Sequence, residues 1–332
     1  MVSLRDKPGR RTGSSSTFFL EPWQTWRYLG IPILILLALF GITSFERPVA
    51  IANGGIHLRL AMDGVHSEYV RVGPYRVHYY VGGHGTPLLL IHGLGARSED
   101  WESAIPIFVR SHFRVYAIDL LGYGRTDHPD IEYSIQQQVD MVHQFLAVMH
   151  IQQADVAGWS LGGWVALKLT SDYPEVVHRL VLYDSAGIVF HASFGPKVFT
   201  PQNKAQLLRL YRLLTPHPMK VPGFVARDIL RIMRKNYWVV DRTIQSALTG
   251  KDSMDGKLNT IHVPVLVVWG KDDALIPPET GREMHQQMPQ SVLELYAGCG
   301  HIGPASCAHR MIPNTVKFLQ REPPMTGGSY NY

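Results

Sequence analysis

A doubly wound α/β fold is what this sequence predicts: a mostly parallel eight-stranded sheet with helices on both faces. Three observations predict it. From about residue 66, short apolar runs alternate with amphipathic stretches. The middle runs, such as "TPLLLIHG", "ADVAGW" and "VPVLVVWG", are continuously apolar, as strands covered on both faces are. The residues able to do chemistry fall just after those runs, at the carboxyl ends of the strands, where sheets of this kind carry their sites.

The elements follow in chain order. Residues 1–27 are basic and rich in Ser, Gly and Arg, and read as a disordered cytoplasmic tail. Residues 28–45, "YLGIPILILLALFGITSF", carry no charge over 18 positions. As a helix they span about 27 Å, close to the hydrocarbon core of a bilayer. Trp23, Trp26 and Tyr28 mark one edge and Phe45 the other, and Pro32 falls in the first turn. Arg5, Lys7, Arg10, Arg11 and Arg27 precede the span against Asp6 and Glu21, which places the N-terminus in the cytoplasm and the main domain on the extracytoplasmic side. The span therefore reads as a transmembrane signal anchor. The alternative is a signal peptide cleaved near Ala52, because Ala50-Ile51-Ala52 resembles a small-x-small cleavage site. The long polar lead and the length of the apolar run favour the anchor.

Residues 46–65 read as a linker, 66–188 and 259–321 as one α/β core, and 322–332 as a flexible tail. In the core, "EYVRVGPYRVHYYVGG" predicts two antiparallel strands around a Gly-Pro turn. The runs "TPLLLIHG", "FRVYAIDLLG", "ADVAGW", "HRLVLYDSAG", "VPVLVVWG" and "SVLELYAG" predict six more, with amphipathic helices such as "SIQQQVDMVHQFLAVMHI" between them. Residues 189–258 break the rhythm. They show helical patterns and no strand run, and predict a helical lid inserted after the sixth strand.

Composition excludes several classes. At 332 residues, 45% hydrophobic and 18% charged, the chain is long enough for one large core. Two cysteines, Cys299 and Cys307, are too few for a disulfide scaffold or a cysteine-based zinc site, and whether they pair is open. "GLGARS" and "GYGRTD" begin G-x-G, but Ser98 and Asp127 stand at the sixth position, so neither completes a dinucleotide fingerprint. No phosphate loop, metal cluster or nucleic-acid motif is present, and no cofactor or metal is expected.

The chemistry begins with "VAGWSLGGWVAL". Gly158 and Gly162 flank Ser160 at −2 and +2, the pattern of a nucleophile elbow, where a strand turns so sharply into a helix that only very small residues fit. The strand "VPVLVVWG" runs into "KDDALIP", which offers Asp273 as the acid. Asp184, after "HRLVLY", is the alternative acid, and Asp272 a third choice with an ordinary turn role. The strand "SVLELYAG" runs into "CGH", which offers His301 as the base. A nucleophile, a base and an orienting acid in the order Ser, Asp, His are the parts of acyl transfer by covalent catalysis. The oxyanion donors are expected to be the backbone N–H groups of Leu161, next after the nucleophile, and Leu94, in the loop after "LLLIHG". His92 is expected to brace that loop.

Over about residues 66–320 the chain resembles the α/β-hydrolase superfamily, on "LLLIHGLG", "DLLGYGRT", "GWSLGG", "WGKDDALIP" and "CGH". The arrangement also resembles bacterial lipases and esterases and membrane-anchored monoacylglycerol lipases. The resemblance implies a serine hydrolase of carboxylic esters, with a small acyl ester or lipid such as a monoacylglycerol as substrate. Alternatives on the same fold are a carbon–carbon bond hydrolase with the same triad and a non-catalytic ligand receptor. Relatives often carry a Glu a few residues after the base; here Ser306 stands there.

The lid adds an expectation about partners. Residues 197–251 hold eleven Lys or Arg against two Asp, a local excess of +9 within a net charge of +5. Arg209, Arg212, Arg231, Arg234 and Lys235, among apolar residues at helical spacing, would suit contact with an anionic lipid surface.

Overall fold

The computed structural model describes residues 33, 41 and 45–332. The chain divides into two compact units, Met1–Glu46 and Arg47–Tyr332. The basic tail 1–27 lies outside the described residues, as does nearly all of the predicted span 28–45. Among the described residues no helix is long and apolar enough to cross a membrane.

The second unit is built on one sheet. Its strands are β1 (Val65–Val72), β2 (Tyr75–Gly82), β3 (Thr86–Ile91), β4 (Phe113–Ile118), β5 (Ala154–Trp159), β6 (Val177–Tyr183), β7 (Val265–Gly270), β8 (Val292–Tyr296) and β9 (Ser329–Asn331). Their order is β1-β2-β4-β3-β5-β6-β7-β8-β9, with β2 antiparallel to both β1 and β4 and every other pair parallel. The helices are α1 (Pro48–Met62), α2 (Ile105–Arg110), α3 (Ile135–Val148), α4 (Leu161–Asp172), α5 (Lys204–Leu214), α6 (Gly223–Arg234), α7 (Tyr237–Leu248), α8 (Pro278–Gln287), α9 (Gly303–Ser306) and α10 (Ala308–Gln320).

Alternation along each strand feeds two cores, one on each face. In β3, Leu89 and Ile91 pack under α3 and α4, while Leu88 and Leu90 pack under α2 and α10. Burial of such a side chain contributes about 1.5–3 kcal/mol. A capping box opens α3: Ser134 Oγ accepts from the Gln137 N–H at 3.2 Å, and Gln137 Oε1 accepts from the Ser134 N–H at 3.0 Å.

Three expectations need correction. The sheet has nine strands rather than eight, because the tail 322–332 is not free: Ser329–Asn331 pairs in parallel with Leu293–Leu295, and the Tyr332 ring stacks on Tyr296. A three-residue strand carries no periodic signal. Nor is 46–65 a linker. Most of it is α1, although Asn53-Gly54-Gly55 in its middle argues against a helix. Tertiary contacts override that propensity: Leu60 is buried in the core, His57 Nε2 lies 2.5 Å from Glu99 Oε1, and Arg97 donates to Asn53 Oδ1 at 2.9 Å.

Between β6 and β7 the chain forms α5, α6 and α7 and no strand. Helix α5 packs on α6 through Leu207, Ala226 and Leu230, while α7 places Val239 and Val240 in the first core. Helix α1 meets this layer. The Val49 N–H donates to Asp228 Oδ2 at 3.1 Å, and Arg231 donates to Asp228 Oδ1. Arg231 is thus held by a buried carboxylate, and Arg234 donates to the Gln202 carbonyl at 2.6 Å. Two of the five lid cations named above are tied into the protein; Arg209, Arg212 and Lys235 are exposed.

Candidate active site

Ser160 stands at the turn from β5 into α4 with φ 56° and ψ −118°. A non-glycine residue there carries strain of about 1–3 kcal/mol, and surrounding structure must impose it. The flanking glycines show how. A Cβ at Gly158 would lie 2.3 Å from the Gly162 carbonyl oxygen, and one at Gly162 would lie 2.3 Å from the Ile91 carbonyl oxygen. Strand, turn and helix are pressed together, and Ser160 is left projecting at the carboxyl edge of the sheet.

The loops after β7 and β8 meet it. His301 Nε2 lies 2.9 Å from Ser160 Oγ, and His301 Nδ1 lies 2.8 Å from Asp273 Oδ2. The other oxygen of Asp273 accepts the N–H groups of Leu275 and Ile276 at 2.8 and 3.0 Å. Three donors therefore converge on this carboxylate and fix its orientation.

The competing carboxyls are placed elsewhere. Asp184 does not reach the imidazole within hydrogen-bond distance. Its Oδ1 accepts from the Gly270 N–H at 2.8 Å, and its buried Oδ2 has no hydrogen-bond partner. Burial first, and the neighbouring Asp273 second, push its carboxyl well above the usual range, which favours its protonated form. Asp272 accepts from the Gly298 N–H at 2.7 Å in an exposed turn.

The segments that carry the predicted oxyanion donors adjoin the nucleophile. Leu161 is the first residue of α4, so its N–H has no intrahelical acceptor. The loop carrying Leu94 runs against the serine: a Cβ at Gly93 would lie 3.2 Å from Ser160 Cβ. His92 braces this loop. Its Nδ1–H donates to the Gly93 carbonyl at 2.8 Å, and its Nε2 accepts from the Leu120 N–H at 3.1 Å. Burial pushes the His92 imidazole below its ordinary pKa, which keeps it neutral for that double role.

The site is closed. Ser160 is 8% exposed, Asp273 5% and His301 1%. The α5–α7 layer supplies the cover: Val240 approaches Gly95, Val239 packs against Gly122, and Leu214–Pro216 press on Gly300. The Ile302 N–H donates to the Leu214 carbonyl at 3.2 Å, tying the base's neighbour to the end of α5. Trp159 and Leu161, next to Ser160 in sequence, Val240 of this cover and Leu94 of the oxyanion loop are apolar and belong to or pack against the two cores. Among the described residues the one fully buried Lys or Arg is Arg179, near the start of β6, where it binds the Phe318 carbonyl and Glu322. No group of three or more His, Cys, Asp or Glu among the described residues is arranged to hold a metal.

Two supporting features were not legible in the sequence. The Trp159 indole N–H donates to the His301 carbonyl at 2.6 Å. Cys299 and Cys307 form a disulfide that brackets His301. Their spacing around a histidine was the available signal, but spacing alone does not set Cα–Cα distance.

Comparison with known proteins bears on the family and the fold. Residues 88–312 match the alpha/beta hydrolase family. A 2-hydroxy-6-oxo-6-(2'-aminophenyl)hexa-2,4-dienoic acid hydrolase of Metapseudomonas resinovorans is 30% identical over 274 residues, 78% of this chain and 92% of the relative. The crystal structure of a serine hydrolase involved in carbazole degradation is 29% identical with a TM-score of 0.66, covering 77% of this chain and 99% of that one. A bacterial membrane phospholipase A is similar in fold, with a TM-score of 0.74 at 20% identity, covering 88% of this chain and 99% of that one.

Proposed function

The chain belongs to the alpha/beta hydrolase family, and on that premise we propose that it is a serine hydrolase of carboxylic esters with an apolar acyl group. In this reading Ser160 Oγ attacks the ester carbonyl while His301 Nε2 takes its proton. Asp273 holds the imidazole by Nδ1 and stabilises it once charged. The N–H groups of Leu94 and Leu161 receive the oxyanion. His301 returns the proton to the leaving alcohol, and water then releases the acyl group from Ser160 by the same steps in reverse order.

The observation that carries the ester reading is the lining of the site. A substrate with a carboxylate beside its scissile bond requires a cation there, because a buried unpaired charge is costly. Trp159, Leu161 and Val240, which adjoin or cover Ser160, are apolar members of the two cores, and the fully buried Arg179 is engaged at the far end of β6. An acyl chain suits this lining. Because the triad is covered, substrate access requires displacement of the α5–α7 layer, as a lid.

The second reading is carbon–carbon bond hydrolysis by the same triad. Its support is the 30% identical relative, which is named for a dienoic acid substrate. The experiment is hydrolysis of p-nitrophenyl esters from C2 to C16, beside a 2-hydroxy-6-oxo-hexa-2,4-dienoate, for wild type and Ser160→Ala. Ester turnover that falls at least about a thousand-fold in the variant, with slower dienoate cleavage, is the expected result. Faster cleavage of the dienoate would replace the ester reading. Tight binding with no turnover of either would point to a receptor.

For the setting, we propose an anchored enzyme facing an oxidising compartment. The uncharged stretch 28–45 supports the anchor, and the disulfide supports the compartment. Fractionation of cells expressing the full chain, with protease added outside the membrane, tests both.

A further inference from the structure

We propose that the Cys299–Cys307 disulfide is a positioning element for the base, holding His301 in line with Ser160 rather than holding the fold together. The proposal rests on the triad reading above, in which His301 moves the proton.

The loop between β8 and α10 is built from residues that leave it loose. Gly298, Gly300 and Gly303 stand around His301, and α9 is a single turn without a side-chain cap. Glycines are required there by close approach. A Cβ at Gly300 would lie 2.8 Å from the Leu214 carbonyl oxygen, and one at Gly303 would lie 2.7 Å from Met311 Sδ and 3.1 Å from Asp184 Oδ2. A loop forced to be glycine-rich has more conformations to lose than any other chain, so an added constraint has most effect there.

The disulfide supplies that constraint at both ends. Cys299 is fully buried, and its carbonyl accepts from the Asp272 N–H at 3.0 Å, beside the acid. Cys307 is 7% exposed and stands at the start of α10. The bridge therefore fastens the β8 end of the loop, which touches the acid's turn, to the helix on its other side. His301 lies between, with the Trp159 indole on its carbonyl. These are the only two cysteines in the chain.

The elements that the bridge joins have their own anchorage. Each residue of β8 is buried, and α10 places Met311, Ile312, Phe318 and Leu319 in the second core. Opening the bridge should leave β8 and α10 in place and free the segment between them.

The test uses the full chain and two routes to the open bridge. One is the double variant Cys299→Ala/Cys307→Ala. The other is reduction by dithiothreitol, in which the reagent's thiolate attacks the disulfide, two cysteine thiols form, and the reagent closes to its cyclic disulfide. Readouts are kcat and KM on a p-nitrophenyl ester, the pH profile of kcat/KM, near-UV circular dichroism, and the rate at which a fluorophosphonate labels Ser160. That labelling needs the triad whatever the natural substrate is, so a failed ester reading remains distinguishable from a failed role for the disulfide. Expected is a loss of about 10- to 100-fold in kcat and labelling rate, with KM within about two-fold, native circular dichroism and a displaced acid limb. Reoxidation of the reduced wild type should restore activity. Unchanged kcat and labelling in a bridge-free, folded protein would overturn the proposal. So would loss of the near-UV signal in step with activity by both routes, since the bridge would then hold the fold.

Discussion

The indole N–H of Trp159 donates a 2.6 Å hydrogen bond to the main-chain carbonyl of His301, so the residue before the nucleophile holds the backbone of the base. Trp159 is 7% exposed and His301 1%, so no solvent replaces that donor. Trp159→Phe keeps an aromatic ring, smaller than the indole, and removes the N–H. Leaving the carbonyl unpaired costs about 1–3 kcal/mol. Expected is a fall of roughly ten-fold in kcat with little change in KM, measured by steady-state ester hydrolysis. An equal effect on both constants would show that the ring, not the hydrogen bond, is what matters.

The two buried aspartates separate by their donors. Asp273 receives three, from His301, Leu275 and Ile276, whereas Asp184 receives one, from Gly270. Asp273→Asn should lower kcat by about 10³–10⁴, as loss of the orienting carboxylate does. Asp184→Asn replaces a carboxyl that does not reach the imidazole and should keep kcat within about three-fold. The sign of its stability effect follows from the raised pKa. A carboxyl raised on folding favours the folded state below its unfolded pKa and loses that contribution as pH rises. Asn does not titrate, so the variant should gain on wild type in melting temperature as pH rises above about 5. A gap between the two that stays constant over this range would contradict the assignment.

Gly162 has no room for a methyl group, because its Cβ would stand 2.3 Å from the Ile91 carbonyl oxygen and 2.5 Å from that of His92. Both are backbone atoms where β3 runs into the loop that carries Leu94, and they cannot rotate away. Gly162→Ala is expected to destabilise the protein by more than about 3 kcal/mol and to reduce the soluble yield. Urea unfolding beside wild type measures it; a change under about 1 kcal/mol would mean that the elbow is looser than its geometry.

Asp119 is the acid-labile joint under the oxyanion loop. Burial alone would raise its pKa. The His78 ring at 2.7 Å, His92 nearby and the Ser98 N–H at 2.7 Å outweigh burial and bring it to about 2. A depressed carboxyl pKa contributes stability that is present above the unfolded value near 4 and is lost as pH falls towards 2. The contribution is about 2 kcal/mol at pH 7. Asp119→Asn should therefore lower the melting temperature at pH 7 and converge on wild type near pH 2. Parallel melting curves across that range would remove Asp119 from the account.

The sequence determined the parts whose signals are local. Continuous apolar runs marked β3 to β8, because strands buried on both faces need no polar residues. Gly158 and Gly162 marked the elbow, because no side chain fits there. The order of Ser160, Asp273 and His301 after β5, β7 and β8 placed all three at one edge of the sheet. What only the tertiary structure decided depends on distances across the fold. Propensity reads Asn53-Gly54-Gly55 as a break, yet Leu60, His57 and Asn53 find partners in the core that hold α1 together. Three residues near the C-terminus become β9 only because the edge of β8 is free to pair. Asp273 and Asp184 are alike in sequence, and the count of donors on each separates them. The disulfide and the Trp159–His301 bond join residues whose approach is set by packing, and packing is not written in the spacing of either.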